Sequence, residues 1–155
     1  MANVIDGKAI AEKIKGEIAE EVARMVKEGM RAPHLAAILV GNDGASMTYV
    51  GHKEKACERV GLKSTVYRLE HNTSQQQLLS LIREINDDDN IDGLIVQLPL
   101  PEGLDEQLVI NTISADKDVD GFHPFNTGKM MLGLPSFLPA TPYGIMTLLK
   151  ESKIE

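Results

Sequence analysis

Four polar side chains stand where strands and helices should end, and their types suit acid–base chemistry on a small flat molecule. Gln97 closes the apolar run Gly93-Leu94-Ile95-Val96 and is followed by Leu98-Pro99-Leu100-Pro101. The run reads as a buried parallel strand. Proline cannot donate to a strand ladder, so the strand stops near Leu98. Gln97 therefore sits at a carboxyl edge, where open α/β sheets bind ligands. Tyr49 and Lys53 are four apart on a helix, and so project from one face, one turn apart. That helix begins just beyond the carboxyl end of another strand, the edge that also carries Gln97. Tyr49, Lys53 and Gln97 can thus converge on one cleft. A second polar cluster follows: Asp116-Lys117-Asp118-Val119-Asp120-Gly121-Phe122-His123-Pro124, then Asn126, Thr127 and Gly128. It suits the holding of a small polar molecule.

Each residue has a plain reading beside its chemical one. A lysine taken alone is a solvated surface cation. In a cleft, Lys53 would lose hydration, which favours the neutral amine and lets it act as a base near neutrality, with an amide such as Gln97 to orient it. Tyr49 is either a half-buried packing residue or a flat face for an aromatic ring, with a hydroxyl for a polar contact. Asp118 and Asp120 serve turn geometry, or Asp120, ahead of Gly121, grips a ligand carrying several N–H donors. The turn Gly41-Asn42-Asp43-Gly44-Ala45-Ser46 has the outline of a phosphate cradle. It matches neither the P-loop nor the G-x-G-x-x-G fingerprint, and Ser46 serves equally as a helix N-cap. His34, His52, His71 and His123 lack metal-ligand spacing, so no metal is expected. Cys57 reads as a small core residue, and Asp87-Asp88-Asp89 as a solvated run.

The elements that must position these groups follow from periodicity. Residues 7–28 form an amphipathic helix with Ile10, Ile14, Ile18, Val22 and Met25 on one stripe and Gly29 at its end. Residues 34–40 read as a buried strand, about 45–60 as a helix ending at Gly61, and 64–69 as a second strand. Asn72-Thr73-Ser74 supplies an N-cap, with Gln76 or Gln77 completing a capping box. Leu78, Leu81, Ile82 and Ile85 line the buried side of that helix, and the Gln97 strand comes next. A short helix near 104–113, another from about Asn126, and a last one with Pro142 in its first turn complete the reading. Strands alternating with helices imply an α/β fold: a parallel sheet with flanking helices, a three-layer β-α-β-α-β core preceded by an amphipathic helix. The polar stretch up to Glu155 closes no fold, so the chain is expected to continue.

Composition narrows the function classes. The 155 residues are 43% hydrophobic, enough for one domain with a real core, and carry a formal net charge of -7. No basic stripe suggests nucleic acid. An acidic surface disfavours anionic membranes, and no apolar stretch reaches spanning length. Aromatics are 4% with no Trp, which argues against a stacking platform for single strands. A single cysteine fits a reducing cytosol, and the N-terminus has no secretory pattern.

Four separated segments together resemble the bifunctional methylenetetrahydrofolate dehydrogenase/methenyltetrahydrofolate cyclohydrolase family. They are Ser46 to Ala56, Asp92 to Pro101, Lys117 to Pro124, and Pro139-Ala140-Thr141-Pro142-Tyr143-Gly144. Ala140 stands where the family often has cysteine. The resemblance implies NAD(P)-dependent oxidation of 5,10-methylenetetrahydrofolate to the methenyl cation, and hydrolysis of that cation to 10-formyltetrahydrofolate. It implies that Lys53 is the key catalytic residue, Gln97 tunes it, Tyr49 stacks on the aminobenzoate ring and Asp120 anchors the pterin. Val96, Leu98 and Pro99 then join these four in the substrate site. Residues 1–140 would form the tetrahydrofolate-binding catalytic domain. Residues 141–155 would begin an interdomain helix toward an NAD(P)-binding Rossmann domain absent from this chain. A cytoplasmic homodimer is implied. Two rivals from the residues alone are a flavodoxin-like module binding a nucleotide or phosphate at Gly41 to Ser46, and a structural or dimerisation domain without a ligand.

Overall fold

Strand β1 (His34–Val40) is apolar on both faces, which places it in the middle of the sheet. The structure is a computed structural model and describes residues 4–154. Around β1 the elements run α1 (Gly7–Lys27), α2 (Gly44–Val60), β2 (Lys63–Leu69), α3 (Gln75–Asp87), β3 (Gly93–Val96), α4 (Glu106–Thr112), α5 (Pro124–Met131) and α6 (Ala140–Glu151). The three strands are parallel in the order β2-β1-β3. β1 pairs along its whole length with β2 and, through Leu35 to Ile38, with all of β3.

Alternation along β1 sorts the core into two layers. Ala36, Ile38 and Val40 pack with Leu78, Ile82, Ile85, Leu94, Val96, Val109 and Ile113, beneath α3 and α4. Ala37 and Leu39 meet Val50 of α2 and Val66 on the other face. Right-handed crossovers require this arrangement: the chain leaves β1 for one neighbour, returns past it to the other, and lays its helices on opposite faces. The loops after β1 and β3 consequently diverge. The crevice between them, at the carboxyl ends, is the switch point of the sheet.

Local signals set the helix ends, with two corrections. The expected capping box is present: the Ser74 hydroxyl accepts from Gln77 N, and the Gln77 side chain accepts from Ser74 N. Gly29, at φ +88°, follows the last residues of α1 and lets Met30 N donate to Met25 O at 3.0 Å. The cap of α2 is Asp43, not Ser46. The Asp43 carboxylate accepts from Ser46 N at 2.8 Å, so the helix starts at Gly44 and Ser46 is buried inside its first turn. α5 starts at Pro124, two residues earlier than expected, because His123 Nδ1 accepts from Phe125 N at 3.1 Å and proline suits a first helical position. The apolar stripe of α1 is only partly covered. Val22 is buried, Ile10, Ile14 and Met25 are half-buried, and Ile18 is 42% exposed. The reason is position: α1 packs chiefly on α2 and α6.

Candidate functional site

Lys53 and Gln97 meet at the switch point. Lys53, half-buried on α2, donates from Nζ to Gln97 Oε1 at 3.1 Å. The backbone of Gln97 still belongs to the ladder, since its N–H donates to Ile38 O at 2.9 Å. Its side-chain amide is tethered: Nε2 donates to Leu98 O at 2.7 Å, which leaves Oε1 turned to the lysine. The Leu98–Pro99 peptide is cis. The turn at the strand end thus fixes the amide as well as stopping the strand.

Asp120 arrives from a segment that β3 itself holds. Leu94 N donates to Lys117 O at 2.7 Å, and Leu94 bridges in parallel to Asp118, so residues 117–118 extend the sheet edge. Lys117 Nζ donates to Ile85 O at 2.8 Å and Asp88 O at 2.7 Å, closing the carbonyl end of α3 and fastening the same segment. Gly93 permits the approach, for a Cβ there would lie 2.6 Å from Val119 Cγ1. Two residues past Asp118, the half-buried Asp120 carboxyl is pushed above its ordinary range. Burial is the main cause; the Lys53 charge opposes it and the Asp118 charge adds to it. Asp120 also lines a small cavity with Val96, Leu98, Asp118 and Phe122.

These placements sort the expected residues. Lys53 and Gln97 form a hydrogen-bonded pair, with Asp120 within electrostatic reach of Lys53; Leu98 supplies the amide's tether, and Val96 and Leu98 line the small cavity at Asp120. Val96 is itself a core residue, 5% exposed. Pro99 is exposed at the rim. Tyr49 stands one turn before Lys53, 62% exposed, its ring open to solvent. Asp118 and Asp120, which spacing alone treats alike, are different: Asp118 is 2% exposed and Asp120 half-buried. The roles of Leu98 O and Lys117 Nζ leave no sequence signal, because their partners are set by the turn and by a helix about thirty residues away. The Gly41 to Ser46 turn is poorly suited to an anion, since the Asp43 carboxylate already occupies the amino end of α2. Chemically, the crevice offers an amine aimed by an amide, and a partly dry carboxylate able to accept N–H donors.

Comparison with known proteins gives the chain a family and supports the fold. Residues 5–120 match the family model described as tetrahydrofolate dehydrogenase/cyclohydrolase, catalytic domain. The bifunctional protein FolD of Christiangramia forsetii is 57% identical over 151 residues, covering 97% of this chain and 50% of that protein. The crystal structure of the bifunctional FolD methylenetetrahydrofolate dehydrogenase/cyclohydrolase of Campylobacter jejuni superposes with a TM-score of 0.94 at 48% identity, over 98% of this chain and 54% of the other. A 5,10-methylenetetrahydrofolate dehydrogenase of the silkworm Bombyx mori superposes with a TM-score of 0.97 at 40% identity, over 99% and 53%. The chain therefore spans about half the length of the curated relatives it matches. It belongs to the tetrahydrofolate dehydrogenase/cyclohydrolase catalytic-domain family.

Proposed function

We propose that this chain supplies the folate-binding and hydrolytic half of an enzyme that oxidises 5,10-methylenetetrahydrofolate and hydrolyses the 5,10-methenyl cation to 10-formyltetrahydrofolate. The observation that carries this reading is the Lys53–Gln97 hydrogen bond beside a half-buried Asp120. A reduced pterin presents N–H donors along one edge, which suit the two oxygens of Asp120. Its aminobenzoate ring suits the open face of Tyr49. Val96, Leu98 and Pro99 would wall the bound ring system.

Hydrolysis needs a base close to an electrophilic carbon. A water attacks the methenyl carbon, and the Lys53 amine, after giving its own extra proton to solvent, takes a proton from that water as the C–O bond forms. The bond from that carbon to the pterin nitrogen then breaks. One of the two water protons ends on that nitrogen and the other leaves to solvent, which restores the amine. Gln97 holds the amine on the line of attack. Positioned proton transfer of this kind contributes on the order of 10²–10⁴-fold.

The hydride acceptor, NADP or NAD, fits no group among the described residues. The turn after β1 lacks the dinucleotide fingerprint, and Asp43 would repel a pyrophosphate at the amino end of α2. We assign the nicotinamide to the half of the relatives that this chain does not span. By the same assignment residues 1–140 are the folate domain, α6 leads toward the cofactor domain, and the whole enzyme is a cytoplasmic homodimer. The rival anion-binding module loses support from the same carboxylate at the α2 cap.

Lys53→Met in the protein that carries this chain tests the reading. Hydrolysis of 5,10-methenyltetrahydrofolate, followed by its loss of absorbance, is expected to vanish while the circular dichroism spectrum stays that of the parent. Turnover at the parent rate would remove Lys53 from the chemistry.

A further inference from the structure

Asp118 is the most deeply placed carboxylate of the polar segment, and no step above uses it. It is 2% exposed. Oδ1 accepts from Gly121 N at 3.1 Å and Phe122 N at 3.3 Å. Oδ2 accepts from His123 N at 2.8 Å and from Asn126 Nδ2 at 3.0 Å. An ionised carboxylate offers about four acceptor sites, so its capacity is filled. Asp118 has nothing left for a ligand. Asn126, 3% exposed on α5, is similarly committed: Nδ2 also donates to Ala115 O at 2.8 Å. The pair ties both ends of the turn, residues 115 and 118 on one side and 121–126 on the other. Asp120 lies between the tied ends and is the carboxylate left half-open, with Lys53 beside it.

Gly121 shows how tightly that turn is set. It has φ +73°, and a Cβ on it would lie 2.5 Å from the Leu138 carbonyl carbon. Three successive backbone N–H groups, those of residues 121–123, converge on one carboxylate, which leaves the Asp120 peptide little freedom.

We propose that Asp118 and Asn126 are a buried positioning pair whose function is to present the Asp120 carboxylate to the pterin; this rests on the folate reading above. The pair touches no substrate and acts through Asp120. Charge complementarity within the pair is specific. Asp118→Asn would present one acceptor oxygen and an NH2 group to four donors, and Asn126→Ala would leave an Asp118 oxygen short of a donor in a dry site.

A mutant cycle tests it in the protein that carries this chain. Tetrahydrofolate affinity is measured for Asp120→Ala, Asn126→Ala and Asp118→Asn, and for each of the last two combined with Asp120→Ala. Amide hydrogen exchange is followed at residues 121–123 and along β1. Each positioning variant is expected to weaken tetrahydrofolate by about tenfold, the scale of one hydrogen bond to a charged group. KM for the methenyl substrate should rise while kcat holds. Exchange should accelerate at residues 121–123 and not in β1, which separates a loosened turn from an unfolded domain. In the Asp120→Ala background the same substitutions should weaken binding no further. Additive losses, or parent affinity in both positioning variants while Asp120→Ala binds weakly, would overturn the inference and leave the folate reading standing. Parent affinity in Asp120→Ala would overturn both.

Discussion

Asp120 is a carboxylate held against its own preference. Its carboxyl is raised from the ordinary value of 3.8, first by burial, then by the nearby Asp118 charge, with Lys53 opposing. A carboxyl raised on folding stabilises the fold while protonated. That contribution is complete below the ordinary carboxylate range and is lost as pH rises through the raised value. At neutral pH the ionised Asp120 therefore costs stability. Asp120→Asn is expected to raise Tm at neutral pH, with the gain disappearing on acidification below the ordinary carboxylate range, and to weaken tetrahydrofolate binding. Thermal melts at the two pH values check this. A lower Tm at neutral pH would mean that the ionised carboxylate holds the fold together. Much of this site was legible from residue types: an amine, an amide and a carboxylate at strand and helix ends. Asp120, ahead of Gly121, was legible as the carboxylate for a ligand; the enclosure of Asp118 by backbone donors was not, because alternation along a loop says nothing about which carboxylate the backbone will enclose.

At the scale of elements, caps and close approaches decide where the functional residues point. α2 carries Lys53 to the crevice, and its start is set by Asp43. The sequence located α2 and α5 but misread the cap of α2 and placed the start of α5 two residues late. Several residues that could cap stand within a few positions of each other, and only the backbone conformation selects among them. His123 is an unusual cap, and its ring nitrogen takes the role only because Phe125 N lies 3.1 Å away. Glycine gives a sharper contrast. Gly121→Ala would place a methyl against the Leu138 carbonyl at φ +73°, and should lose more than about 1 kcal/mol of stability. Gly128→Ala, inside α5 with open space around the new methyl, should be neutral or gain up to about 1 kcal/mol. Urea unfolding of the two variants reads both values. Equal losses would show that the Gly121 turn relaxes freely.

For the whole molecule, the sheet and its two layers were legible, since continuous apolar strands alternating with amphipathic helices admit few topologies. The covering of α1 was not. An apolar stripe states that a helix has a face to bury, not how much of that face this chain covers. Ile18 is 42% exposed, α6 has no fully buried residue, and Tyr143, Ile145 and Met146 of α6 are exposed. Between the two helices runs a groove of about 990 Å³ lined by Ile10, Ile14, Tyr143 and Met146 among others. Among the described residues, no helix is long and apolar enough to cross a membrane. The stability of the domain should therefore reside in the sheet layers. Ile82→Ala, in the fully enclosed α3 face, is expected to cost about 2–5 kcal/mol. Ile18→Ala should stay within about 0.5 kcal/mol. Chemical denaturation of both variants measures the difference, and comparable losses would place α1 inside the cooperative core.

The central claim is spatial: a folate lies across Tyr49, Lys53, Gln97 and Asp120 in one crevice. Titration of the isotopically labelled protein with tetrahydrofolate, read by NMR, tests it most directly. The account predicts saturable shifts at the Gln97 side-chain amide, at the backbone of residues 118–122 and at the Tyr49 ring, with the Gly41 to Ser46 turn unaffected. Shifts confined to Gly41 to Ser46, or a Gln97 amide that stays still at saturation, would contradict it.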